Sequence, residues 1–426
     1  MASVQMCEAC GETYPELDPR TRCRCGGLLD IRHDRPLEDG LSLRRLFEER
    51  RSGQSPEDLS GVWRYRELVM PSVAGRAVSH PEGNTPLLHR EAIATWTDLP
   101  NLRLKHEGHN PTGSFKDRGM TVGVTQARRI GATAVACAST GNTSAALASY
   151  GAQAGIPVLV FVPAGQVALG KLSQSLAYGA RTLLVRGDFD ACLRMVQEAS
   201  ERLGVYLLNS INPWRVEGQK TIVLELLQQL GWEAPDWIVL PAGNLGNTAA
   251  FGKALSEART LGLIDRVPRI AAVQAAGAAP FARGFAEQFT RRHTVKADTV
   301  ATAIKIGDPA SWDRAVRSIR ETDGVVTTVT DPEILEAKAV IDAAGVGCEP
   351  ASAASVAGAR QLRERGIIPL NARVAAVLTG HVLKDPGALL TYHQDTEPAP
   401  ARANRPIEIE PDLREVERVL ARGPHS

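Results

Sequence analysis

The sequence carries almost no excess charge of either sign. Its 426 residues include 49 Lys and Arg against 48 Asp and Glu, which leaves a formal net charge of +1. A chain with this balance has no overall field that would favour nucleic acid or an anionic membrane as a partner. Any anion that it binds must therefore be held at a local site.

Long apolar segments are also missing. The apolar runs, such as residues 156–162, are far shorter than the roughly 20 residues that a helix needs to cross a bilayer. The N-terminus does not show a charged segment followed by an apolar one, which is the pattern of a signal peptide. We therefore expect a cytoplasmic protein that has no membrane partner.

Cysteine is scarce and unevenly distributed. Only seven occur, and four of them fall within the first 25 residues: Cys7, Cys10, Cys23 and Cys25. The other three are scattered, which argues against a disulfide framework. The four N-terminal cysteines lie in two tight turns, C-x2-C-G and C-x-C-G-G-L, that can meet as a zinc ribbon. Because zinc knuckles usually have two residues between their cysteines and the second turn has one, a metal-free β-hairpin is the alternative.

From residue 85 to about residue 392, short β-branched or apolar runs alternate with alanine-rich stretches of helical character. This alternation is typical of an α/β protein whose largely parallel sheets are buried on both faces. The predicted strands lie at residues 134–137, 158–162, 237–240, 270–273 and 374–378. In open α/β sheets, ligands bind at the carboxyl ends of such strands.

Four units are expected along the chain. A cysteine-rich, zinc-ribbon-like module spans residues 1–35, and a C-terminal linker with a short helix spans residues 396–426. Between them we expect a large domain made of residues 36–117 and 206–395. A small α/β domain, residues 118–205, is inserted into it.

Lys116 is the first candidate catalytic residue. A loop rich in Pro, Gly and Asn leads to it, and a helix is predicted over residues 118–129. A free lysine is a poor nucleophile because its pKa is near 10.4, but desolvation at an interior helix start lowers that pKa and permits a Schiff base. A solvated lysine in a helix's first turn is the common alternative, so Lys116 needs support from other motifs.

Two glycine-containing turns supply that support. Residues 139–144, S-T-G-N-T-S, follow a predicted strand and open a helix, so their amides can bind a phenolate or a carboxylate. Residues 241–248, P-A-G-N-L-G-N-T, also join a strand to a helix, and their glycines let backbone amides approach a phosphate. Either turn alone is more often an ordinary connection between a strand and a helix than a ligand site.

Taken together, the ordered motifs resemble the threonine synthases, which are fold-type II enzymes dependent on pyridoxal 5'-phosphate and related to the tryptophan synthase β chain. The resemblance covers roughly residues 60–390. It rests on N-P-T-G-S-F-K-D-R at 110–118, S-T-G-N-T-S at 139–144, N-S-I-N-P-W-R-V-E-G-Q-K-T at 209–221, G-N-L-G-N at 243–247, A-I-K-I-G-D-P-A-S-W at 303–312, G-V-G-C-E-P-A-S-A-A-S at 345–355 and T-G-H-V-L-K-D-P at 379–386. The family's fold has two open, mostly parallel α/β domains with the cofactor between them.

The resemblance also implies roles for individual residues. Lys116 is implied as the lysine that binds the cofactor and moves protons, Asn142 as the partner of the cofactor's phenolic oxygen, and Thr379 as the residue facing its pyridine nitrogen. The residues implied for the cofactor phosphate are Gly243, Asn244, Leu245, Gly246 and Asn247. Those implied for the substrate phosphate are Ser139, Thr143, Asn209, Ser210, Arg215 and Asn244. Val382 departs from the family pattern, which usually has glycine there.

The implied reaction converts O-phospho-L-homoserine and water into L-threonine and phosphate in what we expect to be a homodimer. Other reactions on the same cofactor are the leading alternatives: dehydration of threonine or serine, or replacement at Cβ of a phosphorylated serine. These reactions need either no second phosphate site or one placed differently, so Arg215 discriminates between them and the implied reaction. A catalytically silent paralogue is disfavoured by the presence of Lys116, Asn142 and Thr379.

Overall fold

A computed structural model describes residues 3–73, 75–139, 141–165, 172–187 and 189–421. The predicted α/β fold with mostly parallel sheets is confirmed, and the strands form three sheets. The strands are β1 (Ser3–Cys7), β2 (Thr13–Pro15), β3 (Leu29–His33), β4 (Leu87–Leu88), β5 (Leu102–His106), β6 (Ala134–Ala138), β7 (Val158–Pro163), β8 (Arg181–Val185), β9 (Val205–Leu207), β10 (Trp237–Pro241), β11 (Arg269–Ala275), β12 (Val325–Val329) and β13 (Val374–Leu378).

Most of the helices lie along the chain between strands of the two larger sheets. They are α1 (Gly40–Arg51), α2 (Arg66–Val69), α3 (Glu91–Thr97), α4 (Lys116–Arg129), α5 (Asn142–Ala154), α6 (Ser173–Ala177), α7 (Phe189–Leu203), α8 (Pro213–Gln219), α9 (Thr221–Gln229), α10 (Gly246–Thr260), α11 (Pro280–Ala286), α12 (Trp312–Glu321), α13 (Asp331–Ala343), α14 (Pro350–Glu364), α15 (Pro386–Leu390) and α16 (Leu413–Ala421). No helix within the described ranges has both the length and the apolar character of a membrane span.

The largest sheet has the strand order β12-β11-β10-β13-β5-β4, and its pairs are parallel except for the antiparallel edge strand β4. The second sheet, β8-β7-β6-β9, is parallel throughout. The third, β2-β1-β3, is antiparallel and includes the N-terminal cysteine region. The domain boundaries expected at residues 36, 118, 206 and 396 stay predictions.

Both faces of the largest sheet are buried, as its apolar strands predict. In β10, Ile238 and Leu240 pack into one hydrophobic cluster, whereas Trp237 and Val239 pack into another. Side chains alternate between the faces of a strand, so such a run supplies two cores at once. The same sequence signal identified the five predicted strands, all of which are confirmed.

The C-terminal part of the chain has less regular structure. Residues 407–410, in which Ile and Glu alternate, form no strand. The short helix expected within residues 396–426 spans Leu413–Ala421.

Four strands of the two parallel sheets end directly before or close to the candidate site residues. Strand β5 leads through residues 107–115 to Lys116, and β6 ends one residue before Ser139. Strand β10 ends two residues before Gly243, and β13 ends one residue before Thr379. The carboxyl ends of parallel strands are the usual ligand-binding edge of an open α/β sheet.

A buried ion network anchors α4, whose first residue is Lys116. The Arg118 guanidinium donates to Glu107 through Nε at 2.7 Å and Nη2 at 2.9 Å, and to Glu225 through Nη2 at 2.8 Å. Lys105 donates to the same Glu225 carboxylate at 2.5 Å. All four side chains are at most 2% exposed. The network therefore ties β5, α4 and α9 together where water cannot screen the charges.

We expect Glu225→Gln to lower the free energy of unfolding by about 3 kcal/mol, because it removes the carboxylate that contacts the buried Lys105 and leaves the buried Arg118 with Glu107 alone. The midpoint of urea unfolding of the cofactor-free protein measures the loss. Glu233→Gln is the control, because Glu233 pairs with Arg373 at the surface, where such pairs contribute about 0–1 kcal/mol. Equal losses in the two variants would show that the network does not stabilise the fold.

Candidate active site

Lys116 lies at the start of α4 and is partly exposed, with its Nζ 4.1 Å from the centroid of the Phe115 ring. Desolvation lowers the pKa of its ammonium to about 7, and the positive charge of Arg215 adds to this effect. The carboxylate of Glu349 opposes it. A substantial fraction of Lys116 is therefore neutral near pH 7, as a nucleophile or proton acceptor must be.

Arg215 is a buried cation with spare hydrogen-bonding capacity. It lies in α8 and is 1% exposed, and its Nη1 donates to the Leu208 carbonyl oxygen at 3.1 Å. Its Nε and Nη2 are buried and have no hydrogen-bond partner among the described residues. Desolvation lowers its pKa to about 10, so it remains charged at neutral pH. Because buried donors are nearly always satisfied, the free donors indicate an anionic ligand.

Asn142, Glu349 and Thr379 meet beside Lys116. The Asn142 Nδ2 amide donates to Glu349 Oε2 at 3.0 Å, and the Thr379 hydroxyl lies 3.4 Å from Glu349 Oε1 and 3.0 Å from the Ser352 hydroxyl. Burial raises the pKa of the Glu349 carboxyl. Two residues that are far apart in the chain, Asn142 and Thr379, therefore share one buried acidic partner.

The turn at residues 243–247 is shaped for close approach to a ligand. A Cβ on Gly243 would lie 2.8 Å from the Ile304 Cα, and Leu245 has a left-handed φ of 62°. The turn opens α10, a helix of 15 residues whose first amides point out of its N-terminus. The Thr248 hydroxyl is buried without a hydrogen-bond partner among the described residues. Together these groups offer donors to one anion.

The remaining candidates form the border of the same region. The Asn244 Nδ2 amide donates to the Ser210 hydroxyl at 2.6 Å, and Asn209 Oδ1 accepts from the Ala138 amide at 3.0 Å. Ser139 Oγ accepts from the Gly141 amide at 3.3 Å, and Thr143 lies partly exposed in the first turn of α5. Thr140, which belongs to the same motif, lies outside the described residues.

The four N-terminal cysteines form a separate cluster. They belong to the three-stranded sheet and its turns, and their Sγ atoms all lie within 4.8 Å of one another. The Cys7 and Cys25 sulfurs are 3.5 Å apart, and those of Cys10 and Cys23 are 3.6 Å apart. The two turns thus meet, as their sequence pattern predicts.

Glu349 is the site residue that the sequence analysis did not single out. It lies within the motif at residues 345–355, but nothing in that motif states which side chain turns inward. Its contact with Asn142 spans 207 positions of sequence. A buried glutamate before a proline that starts a helix was the available signal, and it carries no role by itself.

Comparisons with known proteins show which family of proteins this chain is similar to. Residues 78–380 match the family model described as "Pyridoxal-phosphate dependent enzyme". The chain is 42% identical to the threonine synthase of Methanocaldococcus jannaschii over 98% of this chain and 99% of that protein. It is 47% identical to the threonine synthase of Synechocystis sp. over 78% of this chain and 86% of that protein.

A solved structure agrees in fold. The threonine synthase of Escherichia coli superposes with a TM-score of 0.70 over 94% of this chain and 93% of that one, at 19% identity. The fold and the full-length similarity thus point to one group of cofactor-dependent enzymes. The chain belongs to the pyridoxal-phosphate dependent enzymes and, within them, to the threonine synthase family.

The residues present fit pyridoxal phosphate. Lys116 is desolvated enough to form a Schiff base, and the turn at residues 243–247 with the free Thr248 hydroxyl suits a phosphate. The Thr379 hydroxyl lies at the end of β13, where it can meet a ring nitrogen. The chain therefore offers a group that suits the aldehyde, one that suits the phosphate and one that suits the ring nitrogen of the cofactor.

The pKa of Lys116 should respond in opposite directions to two substitutions. Arg215→Met removes a positive charge and should raise it, whereas Glu349→Gln removes a negative charge and should lower it. The pH dependence of Lys116 acylation in the cofactor-free protein, followed by peptide mass spectrometry, measures both shifts. Arg291→Met, a change in an exposed arginine paired with Glu287, should leave the pKa unchanged. Shifts of the same sign in the two site variants would refute this electrostatic account.

Proposed function

We propose that the chain converts O-phospho-L-homoserine and water into L-threonine and phosphate. The observation that carries the proposal is the buried Arg215 guanidinium, which has two free donors and lies close enough to Lys116 to lower its pKa. A phosphorylated substrate needs such a cation because guanidinium binds phosphate oxygens in a bidentate manner. Relatives named threonine synthase, at 42% and 47% identity, support the same reaction.

Lys116, Asn142, residues 243–247 and Thr379 would hold the cofactor through the contacts that their positions allow. Bound pyridoxal phosphate supplies an electron sink that acidifies the Cα proton of an amino acid. The four attachment points come from both parallel sheets, since Asn142 follows β6 whereas the others follow β5, β10 and β13.

Lys116 would carry the proton transfers. Its Nζ can accept the proton from the substrate Cα because its pKa is lowered to about 7, near the working pH. After it has released that proton, the same Nζ can remove one from Cβ, and it can later return a proton during product formation. Glu349 opposes the lowering of this pKa and would keep Lys116 able to hold a proton between these steps.

Arg215, together with Ser139, Thr143, Asn209, Ser210 and Asn244, would bind the substrate phosphate. The charge of Arg215 would stabilise the phosphate as it leaves from Cγ, before water adds at Cβ. The amides and hydroxyls around it orient the group without adding negative charge. A serine or threonine dehydratase, which handles no substrate phosphate, has no use for this buried cation.

The decisive experiment offers purified holoenzyme O-phosphohomoserine, O-phosphoserine, threonine and serine, and measures phosphate, threonine and keto acid separately. We expect threonine and phosphate in equal amounts from O-phosphohomoserine alone. Arg215→Ala should cost about 2–4 kcal/mol in kcat/KM for that substrate, because one buried charge-assisted contact is lost.

Two controls accompany this experiment. Lys116→Ala should fold but not turn over, because the cofactor-binding amine and the proton carrier are lost together. Binding of 2-aminobutyrate, which lacks the phosphate, should be unchanged in Arg215→Ala. Abundant keto acid from serine or threonine, or equal losses with both ligands, would contradict the proposal.

We also propose that Cys7, Cys10, Cys23 and Cys25 bind one zinc ion. Tetrahedral zinc with Zn–S bonds near 2.3 Å requires sulfur separations of about 3.8 Å, and the observed 3.5 and 3.6 Å support this spacing. A Cβ on Gly27 would lie 2.7 Å from the Cys7 sulfur, so the glycine keeps the centre of the cluster open. The Tyr14 hydroxyl lies 3.1 Å from the Cys23 sulfur, as an outer-shell partner would.

Protein purified without a metal-affinity tag should contain about one zinc per chain by elemental mass spectrometry. Cys10→Ser should reduce that content and make the N-terminal residues more sensitive to protease, because zinc binding stabilises such small modules. Cys137→Ser, a change in a cysteine outside the cluster, should keep the zinc. Metal-free parent protein with four reactive N-terminal thiols would rule the site out.

A cytoplasmic location and a homodimeric state stay predictions. Cell fractionation tests the first, and sedimentation equilibrium of the holoenzyme tests the second.

A further inference from the structure

The N-terminal sheet is joined to two active-site helices by buried ionisable side chains, which we call the brace: Asp30, His33, Glu217, Lys220 and Lys253. Glu217 is its centre. Glu217 Oε2 lies 2.7 Å from His33 Nε2 and 2.6 Å from Lys220 Nζ, while Oε1 lies 2.6 Å from Lys253 Nζ. Lys253 continues to Asp30 at 2.7 Å and to the Ile31 carbonyl oxygen at 2.6 Å. The brace thus connects β3, α8 and α10.

Glu217 and Arg215 lie on opposite sides of α8. Successive residues of a helix are about 100° apart, so two positions separate these side chains by roughly 200°. One side of α8 therefore faces the brace, where the Glu217 carboxylate is fully buried. The other carries Arg215, whose charge acts on Lys116.

The side of α8 that faces α4 has no free space. A Cβ on Gly218 would lie 1.8 Å from the Arg118 carbonyl oxygen, and one on Gly119 would lie 3.1 Å from the Arg215 carbonyl oxygen. The two helices therefore touch through their backbones. The helix that carries Arg215 is therefore held between α4 on one side and the β3 contacts of Glu217 on the other.

The brace also reaches the cofactor side of the site. Lys253 belongs to α10, the helix that begins at Gly246 in the proposed phosphate turn. Its ammonium contacts both Glu217 of α8 and Asp30 of β3. The N-terminal sheet thus connects the helix carrying Arg215 to the helix that opens at residues 243–247.

We propose that His33, acting through Glu217, positions Arg215 for the substrate phosphate, so that the N-terminal sheet sets the affinity for the phosphorylated substrate. The inference rests on the proposed phosphate role of Arg215. His33 is a positioning residue, because its contacts are with the opposite side of α8 and with Ser3, whose hydroxyl lies 2.8 Å from its Nδ1.

His33→Ala tests the proposal with less risk to folding than a change at Glu217, because Glu217 keeps both lysines. We expect KM for O-phosphohomoserine to rise about fivefold or more, with kcat and cofactor content close to the parent values. The inhibition constant of inorganic phosphate should rise in parallel. His33→Gln, whose amide can still donate to Glu217, should restore most of the affinity.

His293→Ala is the matched control. His293 also pairs with a glutamate, Glu287, at 3.0 Å, but this pair lies outside the brace. The His293→Ala substitution should therefore leave KM and the phosphate inhibition constant unchanged. A role of His33 in folding alone would lower the active fraction and the melting temperature without raising KM, and that result would overturn the proposal.

A double-mutant cycle shows whether His33 works through Arg215. If it does, the KM of His33→Ala with Arg215→Ala should not exceed that of Arg215→Ala alone. If the two substitutions instead raise KM by the product of their separate effects, His33 acts by another route. That result would overturn the proposal. Failure of the parent enzyme to form threonine would instead remove the proposed function, so the two failures are distinguishable.

Discussion

The pairing of Arg118 with two buried carboxylates is the constraint on which the active site depends. Arg118 stands two residues after Lys116, and its guanidinium contacts Glu107 beyond β5 and Glu225 in α9. An unpaired cation there would be expensive to bury, so the helix start is held wherever both carboxylates can be reached. This requirement places Lys116 at a fixed point beside the carboxyl ends of β5 and β13. Desolvation and the charge of Arg215 then lower the pKa of Lys116 at that point.

Arg118 and Arg215 are both buried arginines, but they differ in how many of their hydrogen-bond donors have an acceptor. Arg118 donates to two carboxylates, a carbonyl oxygen and two hydroxyls. Burial by itself would lower its pKa, but the two carboxylates outweigh this effect and raise it. Arg215 has one described acceptor, and its pKa is lowered because desolvation is not offset by a carboxylate. The first is a structural cation. The second retains free donors, and this difference separates a stabilising charge from a ligand-binding one more clearly than burial does.

The sequence predicted features that depend on local pattern. Five strands, the helix start near Lys116 and the meeting of the cysteine turns follow from apolar runs, glycines and residue spacing. The approach of Glu349 to Asn142 and of His33 to Glu217 depends on tertiary packing across about 200 positions. No periodicity encodes such contacts.

Val382 illustrates how a departure from the family pattern is accommodated by its surroundings. The family pattern usually has glycine there. In this chain the backbone around Thr379 is tied to the Lys116 loop: the Phe115 amide donates to the Thr379 carbonyl oxygen at 3.0 Å, and the His381 amide donates to the Gly113 carbonyl oxygen at 2.9 Å. The valine side chain instead lies against Gly347, where even a Cβ would be 3.3 Å from the Val382 Cβ. Gly347 has a left-handed φ of 70°, so a larger residue is disfavoured there on conformational grounds as well. The space that glycine leaves at position 347 is therefore filled by the branched side chain at position 382, beside the turn that holds Thr379.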